Sequence, residues 1–403
     1  MSRRVGVLTF HWAPHIGAHL QTYALYNVLA NYFSTTIVNF IPKLSDLVRR
    51  LPSLRGCVIK HYYLLNRRHL IPALKSSVGE IFNYAFYVNI EKRKNVAYRH
   101  NLLVVRLSKP ITTLEELKSF CEQFDVIVVG SDQVWNPSFL RHSDYAYLLP
   151  FKLRSAQKVA YAASIGVNDL DSIDQKILIK CKTCLSDFSD ISLRERAHIP
   201  FISKLVGKEV KHALDPTLLI TSDHWISKAS PLKEGMALKR GEYFFIYNLN
   251  YDIMLMLDHV LDRLRRDFDV IAYSVPRIFP LQSARKLLHF IGLYSKGVKF
   301  LEFIDPFEFL WLVRNAKCVI TDSYHGTIFS VIFKKNFVSI PPKGKSVRIL
   351  DLLGLLGLKD RVAYTSNGVL QRLNNEIDYS HVEEKLDFYR RRSLEFLLSA
   401  IKS

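Results

Sequence analysis

Short apolar runs alternate with segments of helical periodicity along this chain, and the alternation pauses once and starts again. Val5 to Phe10 reads as a strand, and Ala18 to Tyr32 as a helix with Leu20, Tyr23, Ala24 and Leu29 at helical spacing. Ile37 to Phe40 is a second strand, closed by Pro42. Thr113 precedes Glu116 by three residues, the spacing of a capping box, so a helix starts there. Asp125 to Val129, Lys158 to Ala163, Asp190 to Arg194 and Val210 to Leu214 are further strands, the last followed by the turn Asp215-Pro216. After a looser stretch from Ser227 to Gly241, strands recur at Tyr243 to Tyr247, Val270 to Tyr273, Cys318 to Thr321 and Phe337 to Ile340. Helices are expected between them over Ile253 to Phe268, Asp305 to Arg314 and Gly326 to Phe333. Two successive βα series predict an α/β protein of two Rossmann-type, doubly wound domains facing a central cleft. The boundaries expected are 1–230, with a basic insertion at about 41–110, and 240–403.

Composition enters as exclusion. No stretch approaches the roughly 18 to 20 apolar residues of a membrane span. The flank of the first apolar run holds His11, Trp12, Pro14 and His15 where a secretory signal would have small residues, so a cytoplasmic protein is expected. Cys57, Cys121, Cys181, Cys184 and Cys318 are few and odd in number, which suits a reducing compartment. Cys181 and Cys184 form a C-x-x-C without a second ligand pair, so they read as two thiols on one helix face, and no metal is expected.

The formal charge is +19, and residues 41–110 hold 14 Lys and Arg against 3 Asp and Glu, a net of +11. Arg49, Arg50, Arg67, Arg68, Lys92, Arg93 and Lys94 are interleaved there with Tyr62, Tyr63 and leucines. No nucleic-acid motif accompanies them. An anionic membrane surface, which rewards each basic residue by about 1 kcal/mol, stands beside a merely solvated basic face as the reading.

Ligands of parallel sheets bind where strands end and helices begin. Thr321-Asp322-Ser323-Tyr324-His325-Gly326-Thr327 lies at such a junction: helix amides there receive anions, and His325 can move a proton near neutrality. Val129-Gly130-Ser131-Asp132-Gln133-Val134-Trp135-Asn136-Pro137 lies at another. Asp132 and Gln133 suit sugar hydroxyls and Trp135 suits a sugar's apolar face, against the plainer reading of a helix cap and a core tryptophan. Arg194, ending a short strand, has the planar fork that grips phosphate or carboxylate.

These segments resemble the polysaccharide pyruvyl transferase family. The matching residues are Gly17 to Leu25, Val129 to Pro137, Tyr161 to Gly166, Ser192 to Glu195, Leu214 to Leu219, Asp305 to Leu310 and Thr321 to Ser330. The resemblance implies a GT-B-like fold, phosphoenolpyruvate as donor co-substrate with no further cofactor, and a sugar acceptor, lipid-linked or within a polymer. It implies a catalytic role for His325 and donor contacts from Arg194 and Lys345; the chemistry of such a transfer adds Asp132 as a second catalytic group, Ser323, Gly326, Thr327 and Arg348 at the donor, and Gln21, Gln133 and Trp135 at the acceptor. Where better-studied relatives read Ser-Arg-Leu-His-Gly, this chain reads Asp322-Ser323-Tyr324-His325-Gly326. Either Lys345 or Arg348 then supplies the cation lost at Ser323, or the donor differs. Alternatives are a GT-B glycosyltransferase using a nucleotide sugar, and a non-catalytic glycan- or membrane-binding scaffold. A location at the inner face of the membrane would follow from a lipid-linked acceptor.

Overall fold

The computed structural model describes residues 2–13, 15–42, 105–233, 236, 238–274, 284–301 and 303–402. The basic residues singled out above, from Arg49 to Lys94, and Cys57 lie outside the described residues, as does the membrane reading they support.

The first unit runs β1 (Arg4–Leu8), α1 (Ile16–Ala30), β2 (Ser34–Ile37), α2 (Leu114–Cys121), β3 (Val126–Val129), α3 (Pro137–Leu140), β4 (Gln157–Ala163), α4 (Gln175–Leu185), β5 (Asp190–Leu193), α5 (Ile199–Val206), β6 (Lys211–His212) and α6 (Ser222–Lys228). The second runs β7 (Tyr243–Asn248), α7 (Asp252–Met256), α8 (Asp258–Leu264), β8 (Asp269–Ser274), α9 (Ala284–Ser295), β9 (Lys299–Leu301), α10 (Pro306–Asn315), β10 (Cys318–Thr321), α11 (Tyr324–Ile332), β11 (Asn336–Ser339), α12 (Val347–Leu356), α13 (Ser366–Leu373) and α14 (Ser380–Lys402). The first sheet has the order β2-β1-β3-β4-β5-β6 and the second β11-β10-β7-β8-β9. All their pairings are parallel. The α/β, doubly wound expectation therefore holds.

Both sheets are covered on both faces, which is why their strands read as unbroken apolar runs. Val5, Val7, Val126 and Val128 enter one core, whereas Leu8, Ile127 and Val129 enter the other. The first core continues into the second unit through Phe245, Phe309 and Phe329. Trp225 is the join: its ring centre lies 5.6 Å from that of Tyr23 and 5.1 Å from that of Phe329.

The expected capping box forms, with Thr113 accepting from Glu116 N–H and the Glu116 carboxylate accepting from Thr113 N–H. Asp305 and Glu308 form a second one at α10. The expected strand over Ile37 to Phe40 instead occupies Ser34–Ile37, because β-branched Thr35 and Thr36 extend it backwards; Phe40 keeps only an isolated bridge to Ile111. The helix expected over Ile253 to Phe268 is divided at Leu257 and ends at Leu264. The last helix, expected with the second unit, begins there and finishes on the first. Lys334 pairs with Glu383 near its start, while Leu214 N–H donates to Ser393 Oγ, Arg390 Nε to the Leu218 carbonyl and Gln157 Nε2 to the Ala400 carbonyl. Cys181 and Cys184 do lie on one helix, buried and free, as do Cys121 and Cys318 on their own elements. Among the described residues no helix is long and apolar enough to cross a membrane, and no cluster of three or more His, Cys, Asp or Glu could hold a metal ion.

Candidate active site

Each strand order reverses once, between β1 and β3 in the first sheet and between β7 and β10 in the second. A crevice opens at the carboxyl end of such a reversal. Asp132 follows β3 and Asp322 follows β10, so both junctions singled out from sequence stand at these places.

On the first sheet, β4 is irregular between Ala160 and Ala163, and Ala162 has a φ of 46°. Such a bulge re-aims its neighbours. Ser131 Oγ donates to the Ala162 carbonyl, and Asp132, at φ 68°, bridges to Ala163. That turn delivers the Asp132 carboxylate to Arg194, whose Nη2 donates to Asp132 Oδ1 at 3.0 Å. Arg194 Nη1 donates to Asp215, and the guanidinium carbon lies 4.8 Å from the centre of the Tyr324 ring. With a side chain only 1% exposed, Arg194 is a strut between two carboxylates. The expectation of a fork free for the donor is corrected accordingly: both its terminal nitrogens are engaged.

The second sheet contributes His325 across the cleft. Its Nε2 stands 3.5 Å from Asp215 Oδ2, within ion-pair range, and makes no hydrogen bond. Its ring rests on the first turn of α1, where a Cβ on Gly17 would stand 2.0 Å from His325 Nδ1. Gly17 is therefore needed for close approach. Asp215 also accepts from Thr217 N–H at 3.0 Å and from Thr217 Oγ1 at 2.6 Å. Burial opposes ionisation of Asp215, yet the His325 imidazole and the Arg194 guanidinium hold it well below the usual carboxylate range. Burial likewise opposes ionisation of Asp132, and Arg194, His325 and Arg348 outweigh it.

Asp322 behaves differently. Its Oδ1 accepts from Leu249 N–H at 2.6 Å and its Oδ2 from Asn250 N–H at 3.0 Å, fastening the loop after β7. Among the described residues no cation faces it in compensation, and burial pushes its carboxyl up to about 7.

The other expected site residues fall into two groups. Arg348, the second residue of α12, lies over the same tyrosine ring at 5.5 Å, and Lys345 is exposed on the loop before it. The second group is occupied structurally. Ser323 Oγ accepts from Gly326 N–H as the cap of α11, Thr327 Oγ1 bonds the Ser323 carbonyl and Ser339 Oγ, and Gly326 packs on Thr321. Gln21 Nε2 is tied to Thr9 Oγ1, the Ala18 carbonyl and Thr22 Oγ1. Gln133 Oε1 accepts from Asn136 Nδ2 and lies against Gly166. Trp135 is corrected outright: 3% exposed, its Nε1 donates to the Tyr147 carbonyl and its ring meets Phe188 edge to face, so it is core and not a sugar platform. Sequence reasoning passed over Asp215 as a turn residue and Tyr324 as a neighbour; the only signal for either was its place within a matched segment.

Two parallel-sheet units meeting at their carboxyl edges define a protein of the GT-B class. Solved structures agree on that fold. UDP-N-acetylglucosamine 2-epimerase from Rickettsia bellii is similar at 12% identity and a TM-score of 0.56, covering 100% of this chain and 98% of that one. The putative UDP-N-acetylglucosamine 2-epimerase from Listeria monocytogenes matches at 10% identity and a TM-score of 0.55, covering 100% and 96%. The UDP-GlcNAc 2-epimerase from Methanocaldococcus jannaschii matches at 11% and 0.53, covering 97% and 99%. Among curated proteins no sequence matches. The family described as Polysaccharide pyruvyl transferase matches residues 15–344, most of the chain, and the protein belongs to that family.

Proposed function

We propose that this protein transfers the pyruvyl unit of phosphoenolpyruvate onto two hydroxyls of a sugar as a ketal, releasing phosphate. The observation that carries the reading is the pairing of His325 with Asp215 across the cleft, within a family match that spans both domains. An aspartate held ionised beside an imidazole fixes where the ring stands, as a proton-transferring histidine requires. In the reaction His325 delivers a proton to the methylene carbon of the donor, which makes C2 electrophilic. One sugar hydroxyl adds to C2 and loses its proton, the bond from C2 to the phosphate oxygen breaks, and the second hydroxyl adds and loses its proton. One of the two released protons restores His325, and the other leaves with phosphate.

Asp132 is held ionised and is therefore a weak base; its part is to orient an acceptor hydroxyl. Arg348 and Lys345 are the cations offered to the donor's phosphate and carboxylate. Incubating the protein with phosphoenolpyruvate and oligosaccharide acceptors, with phosphate release and a pyruvyl mass increment as readouts, tests the activity. His325→Ala should lower turnover by about 100- to 10,000-fold while the circular dichroism stays unchanged. A folded variant that keeps most of its turnover removes His325 from the mechanism. Transfer from a nucleotide sugar, with none from phosphoenolpyruvate, would put a glycosyltransferase in place of this reading.

A further inference from the structure

α12 begins with Val347, and the residue before it, Ser346, does not cap the helix with its own side chain. The cap comes from the other domain. Asn168, on the loop after β4, accepts the Val347 N–H on its Oδ1 at 3.0 Å, and its Nδ2 donates to Ser346 Oγ at 2.8 Å. Its backbone N–H donates to the Gly344 carbonyl at 3.1 Å. Three hydrogen bonds thus bind one residue of the first domain to the segment that opens α12 in the second. A separate anchor lies further along, where Asp351 accepts from Arg196 N–H.

The next residue after Val347 is Arg348. The Nε of Arg348 and that of Arg194 are both buried without a hydrogen-bond partner; Arg194 differs in that its terminal nitrogens hold two carboxylates. The two guanidinium groups share the ring of Tyr324. Burial and the charge of Arg194 both disfavour the Arg348 cation, and an incoming anion would offset both. Arg348 is thus a half-buried cation with an unfilled donor, over the ring of the residue that precedes the proton-transferring histidine, and its place depends on how the first turn of α12 is held.

We propose that Asn168 is a positioning residue that caps α12 across the domain gap and thereby aims Arg348 at the anionic group of the donor. Donor affinity is then coupled to the closed arrangement of the domains, because the cap exists only when both domains supply it. The inference rests on the reading of the site as a phosphoenolpyruvate transferase.

The test is a double-mutant cycle on the full chain, with phosphoenolpyruvate and UDP as separate titrants in calorimetry and thermal unfolding recorded alongside. Arg348→Ala should weaken phosphoenolpyruvate about 30-fold, the size of a lost charge-assisted hydrogen bond. Asn168→Ala should weaken it about tenfold, the size of a lost helix cap. The double variant should bind no more weakly than Arg348→Ala alone, because Asn168 acts through Arg348. Losses that multiply overturn the proposal, as does an Asn168→Ala protein that unfolds earlier yet binds the donor as the parent does. If the parent protein binds UDP and not phosphoenolpyruvate, the donor reading fails, and the same cycle read with UDP decides the role of Asn168 separately. A parent that binds neither overturns both.

Discussion

Asp132 and Asp322 follow corresponding strands in their two sheets, each beside the place where the strand order reverses, and both are buried. Asp132 meets a guanidinium and is held ionised below the usual range; Asp322 meets two backbone amides and is pushed up to about 7. Burial raises a carboxyl in both places, so the difference lies in what opposes it. Arg194 at 3.0 Å, together with His325 and Arg348, outweighs desolvation, whereas two amide dipoles do not. The first edge is an ionic network that reaches the histidine of the second domain, and the second is a loop clasp beside the start of α11.

Removing the charge breaks the comparison most severely. Arg194→Ala takes the shared guanidinium from two buried carboxylates and leaves Asp215 only His325 and Thr217, so a loss of about 3 kcal/mol is expected at neutral pH. In the parent protein these carboxyls are depressed, and the stability they contribute is present above the ordinary carboxylate pKa and is lost as pH falls through their lower folded values. In the variant that depression is weaker, so its deficit should shrink in acid. Urea unfolding at pH 5 and pH 7.5 reads both; an unchanged midpoint would show that Arg194 is no strut.

The second prediction concerns how closely the two edges meet. Gly17→Ala sets a methyl group against the His325 ring, and about 1–3 kcal/mol of overpacking strain should appear, together with a fall in turnover as the imidazole shifts from Asp215. Full activity in a Gly17→Ala protein would mean that the contact with α1 does not govern the place of the histidine.

The smallest effect sharpens the contrast. Between about pH 4 and pH 7 the folded protein keeps a proton on Asp322 that the unfolded chain releases, so this group makes stability fall as pH rises through that window. Asp322→Asn should flatten that slope while changing stability near neutrality by less than about 1 kcal/mol, since the amide oxygen still accepts one of the two N–H bonds. Chemical unfolding across that range is the measurement, and a slope that persists would assign it to another group.

Strand-by-strand, the architecture was legible because parallel sheets covered on both faces demand apolar runs such as Val126–Val129 and Cys318–Thr321, and the capping box at Thr113 is a purely local pattern. The edges were less so. β9 is three residues long, too short for periodicity, and β2 lay three residues ahead of its expected start because Thr counts as polar while it favours strands. At the site, the junctions holding Asp132 and His325 could be found from sequence, since a helix that follows a strand is visible in a single chain. Partnership could not. Arg194 meets Asp132 from 62 residues away, and Asn168 meets Val347 from 179. Only the assembled fold shows that Arg194 is already engaged, that Trp135 is core, and that Asp215 is the partner of the histidine.

The return of α14 to the first domain has a mechanical consequence. The chain passes between the lobes twice, once through the segment holding Trp225 and once through the approach to its final helix. Lobes joined by a single connection can swivel about it, whereas a second connection passing back resists that twist. The two connections are tied to the same turn, through Leu218 and Thr217, so parting the halves requires both tethers and the core they share around Trp225 to give way together.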